Sequence, residues 1–139
     1  MGSLLSVRNI SKSFVRGTMV LRDLSLEVAG DDRLVIIGPS GGGKSTLIRC
    51  IMGLEEIDGG QIDFIGNPYV YVDKNNSRTR IDKKSQLKIG MVFQNYTLFP
   101  HLSVLQNLVL ASVKVRKESS GDAKEKATAL LRRFNLLDK

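Results

Sequence analysis

Residues Gly38 to Thr46 read GPSGGGKST, and this string restricts the possible folds more than any other part of the chain. A glycine, four residues, then Gly43-Lys44-Ser45 is the phosphate-binding P-loop pattern, whose expected context is a strand before it and a helix after it. The flanks agree with that context. Arg33-Leu-Val-Ile-Ile37 is apolar and β-branched and predicts a buried strand. Lys44 to Leu54 carries apolar residues at helix-compatible positions. The chemistry needs these residue types. Glycines let the backbone curl and aim successive N–H groups inward at a dense anion, and the helix N-terminus adds its dipole. The pattern assigns the contacts to Gly38, Pro39, Ser40, Gly41, Gly42, Gly43, Lys44, Ser45 and Thr46. Lys44 is expected to reach the β- and γ-phosphates, Ser45 to ligate Mg²⁺, and Thr46 to hydrogen-bond the α-phosphate.

At 139 residues, 42% of them apolar, the chain is long enough for a domain with a core. It has no apolar run long enough to span a bilayer and no basic-then-apolar leader, so the cytoplasm is the expected compartment. The single cysteine, Cys50, falls in the apolar pattern of the P-loop helix and reads as a buried thiol. Net charge is +7, and Lys74 to Lys88 contributes Arg78, Arg80, Lys83 and Lys84. Such a segment suits a solvated polar loop. It lacks the interleaved aromatics of a nucleic-acid surface, so nucleic acid is not an expected partner.

Further elements follow from period and punctuation. Leu4–Ile10 and Met19–Val28 alternate and predict strands, joined to the P-loop strand by a turn around Gly30. Gln61–Ile65 predicts a short strand after Gly59-Gly60, and Tyr69–Val72 an edge strand beyond the Gly66-Asn67-Pro68 break. Asn75–Lys84 reads as a loop or weak helix start. Lys88–Phe93 predicts a second buried strand. Ser103 with Gln106 has the capping-box spacing of a helix start. A last helix is expected from Gly121 or Asp122 to about Leu136, with Ala127, Leu130, Leu131 and Phe134 on its apolar face. The order implies an α/β fold of the P-loop NTPase class with an antiparallel β-element at the front.

With VFQNYTLFPHLSVLQNL added to GPSGGGKSTLIRCIMGLE and Gly60-Gln61-Ile62, the whole chain resembles the nucleotide-binding subunits of ABC transporters. Within them it is most similar to the ATPases of polar amino-acid importers. The resemblance implies an ABC-type nucleotide-binding domain, with residues 1–100 as its core and 101–139 as the start of a helical subdomain. It puts Phe14, in SKSF, at the A-loop position that stacks on adenine, where the family more often has Tyr; Val20 would line the other edge. It puts Gln94 at the Q-loop position, able to complete Mg²⁺ coordination or hold the attacking water. His101 would lie on the surface that meets the membrane subunit, as neither base nor metal ligand. The implied cofactors are ATP and Mg²⁺. The implied partners are a second ATP-binding subunit, a transmembrane permease and, indirectly, a solute-binding protein, with the chain peripheral on the inner face of the membrane.

The family's Walker B acids, LSGGQ-type signature, D-loop and switch histidine have no counterpart in these residues. The expectation is therefore a domain truncated before the signature and Walker B, with hydrolysis near background and an apolar sheet edge left uncovered. Two alternatives follow: a non-catalytic nucleotide-binding fragment, and a nucleic-acid-associated ABC-type ATPase using the basic segment.

Overall fold

The computed structural model describes residues 3–15, 17–95 and 98–138. They fall into two compact units, residues 1–91 and 92–139.

The first unit is built on an antiparallel five-stranded sheet. Strand β1 (Ser3–Val15) runs beside β2 (Thr18–Ala29) and, after the helix α1 (Lys44–Ile51), beside β3 (Gly59–Phe64). Strands β4 (Asn67–Val72) and β5 (Thr79–Ile81) extend it in the order β2-β1-β3-β4-β5. Alternation in β1 carries Val7 and Ile10 into the core, three residues apart rather than two because the register shifts between them. The shift is a bulge: Asn9 and Asp23 both have positive φ, and the Asn9 amide donates to the Asp23 carboxylate at 2.8 Å. Short polar side chains tolerate that conformation by bonding locally. Opposite it, Gly60 has φ +85°, and a β-carbon there would lie 2.4 Å from the Asn9 carbonyl oxygen. Only glycine lets β3 approach this closely.

The core comprises Val7, Ile10, Leu21, Leu47, Cys50, Ile57, Ile62, Tyr69 and Val70. Helix α1 contributes Leu47 and Cys50, so the P-loop helix is anchored on the sheet. It ends in a Schellman arrangement: Gly53 N–H donates to Cys50 C=O and Leu54 N–H to Arg49 C=O, with Gly53 at φ +62°. The β3–β4 hairpin turns on Ile65 and Gly66, both at positive φ, the geometry of a type I′ turn.

Four expectations change. Arg33–Ile37 forms no strand; Val35 and Ile37 are 78% and 88% exposed. Lys88–Phe93 forms none either, and Val92 is 86% exposed. A strand needs neighbours for its N–H and C=O groups, and neither run has a ladder partner among the described residues. Tyr69–Val72 lies inside the sheet rather than at its edge, because β5 pairs beyond it through Val70↔Ile81 and Val72↔Thr79. The polar stretch 75–84 therefore holds a strand. It also leads into the short helix α2 (Lys83–Gln86), capped by the Asp82 carboxylate, which accepts from Lys84 N–H and Ser85 N–H. Those bonds, led by the one from the Ser85 hydroxyl, hold the Asp82 carboxyl below the usual carboxylate range.

The second unit holds α3 (Val104–Lys114) and α4 (Ser120–Arg133), which pack together. Ser103 forms the expected capping box: Gln106 N–H donates to its hydroxyl, and its own N–H donates to Gln106 Oε1 at 2.7 Å. Asn107 pins the preceding turn by donating to the carbonyls of Phe99, Leu102 and Ser103. Helix α4 starts one residue before Gly121, behind a Ser119 cap. Its buried stripe is Ala123 and Ala127, while Leu130 and Phe134 of the expected apolar face are exposed.

Candidate functional site

The P-loop lies between residues 33–37 and α1. Gly41 and Gly43 take φ +78° and +81°, and Gly42 N–H closes a turn onto Pro39 C=O at 3.1 Å. Gly43 caps α1 from the left-handed region with no side-chain hydrogen bond. The first helical bond is Leu47 N–H to Gly43 C=O at 2.8 Å, so the amides of Lys44, Ser45 and Thr46 precede any intrahelical acceptor. No acidic residue occupies the first turn of α1, and this end of the helix carries an uncompensated positive dipole.

Gly43 also faces β2. A β-carbon there would meet the Val20 carbonyl oxygen at 3.0 Å, Leu21 Cδ2 at 3.1 Å and Val20 Cγ1 at 3.3 Å. Sequence and packing therefore agree that only glycine fits. The Lys44 ammonium bends back over the loop, donating to Gly38 C=O at 2.9 Å and Pro39 C=O at 2.7 Å. The result is a glycine turn with one cation held over it. Ser45 is exposed and Thr46 half-buried.

Phe14 and Val20 belong to this unit. Phe14 is in β1 and 57% exposed; Val20 is in β2 and half-buried, directly against Gly43. The β1–β2 pairing places them at the same end of the sheet, with Lys12 opposite Leu21 and Ser13 opposite Met19. Gln94 is in the second unit, at an exposed turn rather than the end of a buried strand. His101, also there, is exposed and meets Phe99 edge-on at 5.9 Å between ring centroids. Tyr96 and Thr97, which open the segment expected to lead into the helical subdomain, lie outside the described residues. Among the described residues no cluster of three or more His, Cys, Asp or Glu side chains is arranged to hold a metal.

Sequence reasoning passed over three residues beside Phe14. Lys12 is 7% exposed, with its ammonium 3.1 Å from Glu55 and 5.0 Å from the centroid of the Phe14 ring. Asp58 accepts from the Ser13 amide at 2.6 Å and its hydroxyl at 2.7 Å. The available signal was Lys12 itself, a charge inside the alternating row Ile10, Lys12, Phe14.

The sequence profile described as "ABC transporter" matches residues 21–139. The chain belongs to the ABC transporter family. Its relatives in that family include the probable ABC transporter ATP-binding protein PEB1C of Campylobacter jejuni, 43% identical over 98% of this chain and 53% of that protein. The glutamate/aspartate import ATP-binding protein GltL of Escherichia coli K12 is 42% identical over 96% of this chain and 52% of that protein. Among solved structures, the dimeric post-hydrolysis state of the ATP-binding cassette MJ0796, bound to ADP and Pi, superposes with a TM-score of 0.72 at 26% identity. That match covers 92% of this chain and 56% of MJ0796. The chain thus spans about half the length of the ABC relatives it matches, and its fold is that of ABC ATPase cassettes.

Proposed function

We propose that this chain supplies the ATP-binding loop of a subunit that energises an ABC importer for polar amino acids. The observation that carries the reading is the Gly43–Lys44 arrangement: Gly43, packed against β2 where no β-carbon fits, opens α1 at φ +81°, the first amides of the helix have no intrahelical acceptor, and the Lys44 ammonium lies back over the loop. Those donors fit a polyphosphate. Gly38, Pro39, Ser40, Gly41, Gly42 and Gly43 would wrap it with backbone; Lys44 would exchange its loop carbonyls for phosphate oxygens; Thr46 would hold the α-phosphate. Phe14 would offer a flat face to the base, with Val20 alongside. The Ser45 hydroxyl suits Mg²⁺, a cation that prefers oxygen ligands, and when bound it would neutralise phosphate charge; the Gln94 amide oxygen has the donor chemistry for the same cation.

The amino-acid class rests on relatives such as GltL. A second ATP-binding subunit, a permease and attachment to the inner membrane face follow from the same family reading. The residues in hand supply binding rather than the acids of phosphoryl transfer, so turnover by this chain alone is expected near background. Equilibrium binding of ATP to wild type and Lys44→Ala tests the reading. Loss of the counter-charge should weaken ATP about a hundredfold, and unchanged affinity would show that the loop is not used.

A further inference from the structure

Lys12 occupies a place where β1 should carry an apolar side chain. Ile10, Lys12 and Phe14 follow one another on the core-facing row of the strand, and exposure rises along it from 0% through 7% to 57%. An ammonium in that position must be paired to be tolerated, and a buried ion pair seldom gives more stability than an apolar side chain of equal volume. Met at position 12 would serve the core as well. Stability therefore does not account for the charge.

We propose that Lys12, held by Glu55, is a positioning residue for the Phe14 ring and, through that ring, for the flat base of a purine nucleotide. The inference rests on the reading of the P-loop as an ATP site and adds to it a determinant of base recognition. The ammonium lies over the Phe14 ring at 5.0 Å from the centroid, inside the range of a cation–π contact. One face of the ring is thereby engaged, which fixes the tilt of an otherwise exposed side chain. The opposite face is left for a base, and the cation draws π-density away from it, easing the approach of a second π-system.

The ammonium is fixed in turn. Glu55 holds it at 3.1 Å, and Glu55 lies in the segment that follows α1, the P-loop helix. The same segment grips the strand a second time: Asp58 N–H donates to Ser11 C=O at 2.8 Å, and its carboxylate accepts from Ser13. The Lys12 charge also reaches Cys50 of α1, where it partly offsets the effect of burial on the thiol. Across the ladder Lys12 faces Leu21, whose side chain borders Gly43. Base platform and phosphate loop are therefore joined through residues 55–58 on one side and Leu21 on the other.

Binding of ATP and of base-free tripolyphosphate to the whole chain separates positioning from general damage. Lys12→Met should weaken ATP roughly tenfold and leave tripolyphosphate within about twofold. Lys12→Arg, which keeps both the ion pair and the cation–π contact, should bind both ligands like wild type. In a Phe14→Ala background Lys12→Met should have no further effect on ATP, because the ring it positions is gone. Should Lys12→Met fail to fold, Glu55→Gln carries the same comparison by freeing the ammonium. Equal loss for both ligands, no loss for either, or an undiminished loss without Phe14 would each overturn the proposal. If wild type binds neither ligand, the ATP reading itself fails. If Lys44→Ala abolishes both while Lys12→Met changes neither, only the positioning role fails.

Discussion

Ile62 and Ile37 are the same side chain in two regions of one unit. Ile62, in β3, is wholly buried; Ile37, in the run before the P-loop, is 88% exposed. The run 33–37 (RLVII) is the more apolar and the more β-branched of the two; β3 reads GGQIDF. The difference lies in the neighbours. β3 has β1 on one side and β4 on the other, so its backbone groups are bonded, and Ile62 sits in the core. The run 33–37 has no partner strand among the described residues, and only Ile36 packs against the core. The run 88–93 is similar, tied to that core through Ile89. Apolar content makes a segment available for a sheet; a ladder partner makes it a strand.

The largest expected effect tests that contrast directly. Ile62→Ala should destabilise the chain by about 3 kcal/mol, whereas Ile37→Ala should stay within about 0.5 kcal/mol. Urea titrations of the two variants compare them. An equal loss at Ile37 would mean that the run is covered in solution, by self-association or otherwise, and would break the contrast.

Next comes the closed core seen through its thiol. Burial pushes the Cys50 thiol up to about 11 from an ordinary 9.0. The unfolded chain therefore releases this proton first. The contribution to stability is complete below pH 9 and is lost as the pH rises towards 11, by up to about 2 kcal/mol. Melting curves at pH 8 and 10.5, each compared with Cys50→Ala, isolate it; identical slopes for the two proteins would place the thiol in contact with water.

The smallest effect is a gain. Ile65 takes φ +51° in the β3–β4 turn, a conformation that strains a β-branched residue, and Gly66 follows it. Ile65→Asn installs the favoured Asn-Gly pair and should stabilise by about 1 kcal/mol. The gain should appear as slower amide exchange in β3 and β4 and leave residues 33–37 unchanged.

Much of this was legible in the residues, for local reasons. β1, β2 and β3 show their period, and the Ser103–Gln106 box states its own hydrogen bonds. The P-loop glycines announce their backbone angles. What was hidden depends on distant partners. Thr79–Ile81 is a strand because β4 offers it an edge, and its two inward residues are masked by surrounding Lys, Arg and Asn. Arg33–Ile37 and Lys88–Phe93 carry the period of strands without the neighbours. Lys12 reads as surface charge until Glu55 and Phe14 are seen around it. Gln94 was placed by resemblance, and its exposed turn does not reproduce the strand end expected for it.

The strand order has a consequence for how the chain assembles. β1–β2 and β3–β4–β5 are each meanders of close sequence neighbours and need only short loops to form. Joining them pairs Leu5 with Phe64, across roughly sixty residues, a closure whose entropy must be met before its contacts return anything. The P-loop and α1 are the excursion between those halves. A chain emerging from its N-terminus would thus carry GPSGGGKST, with β2 already beside it, before β3 is there to complete the core that anchors α1.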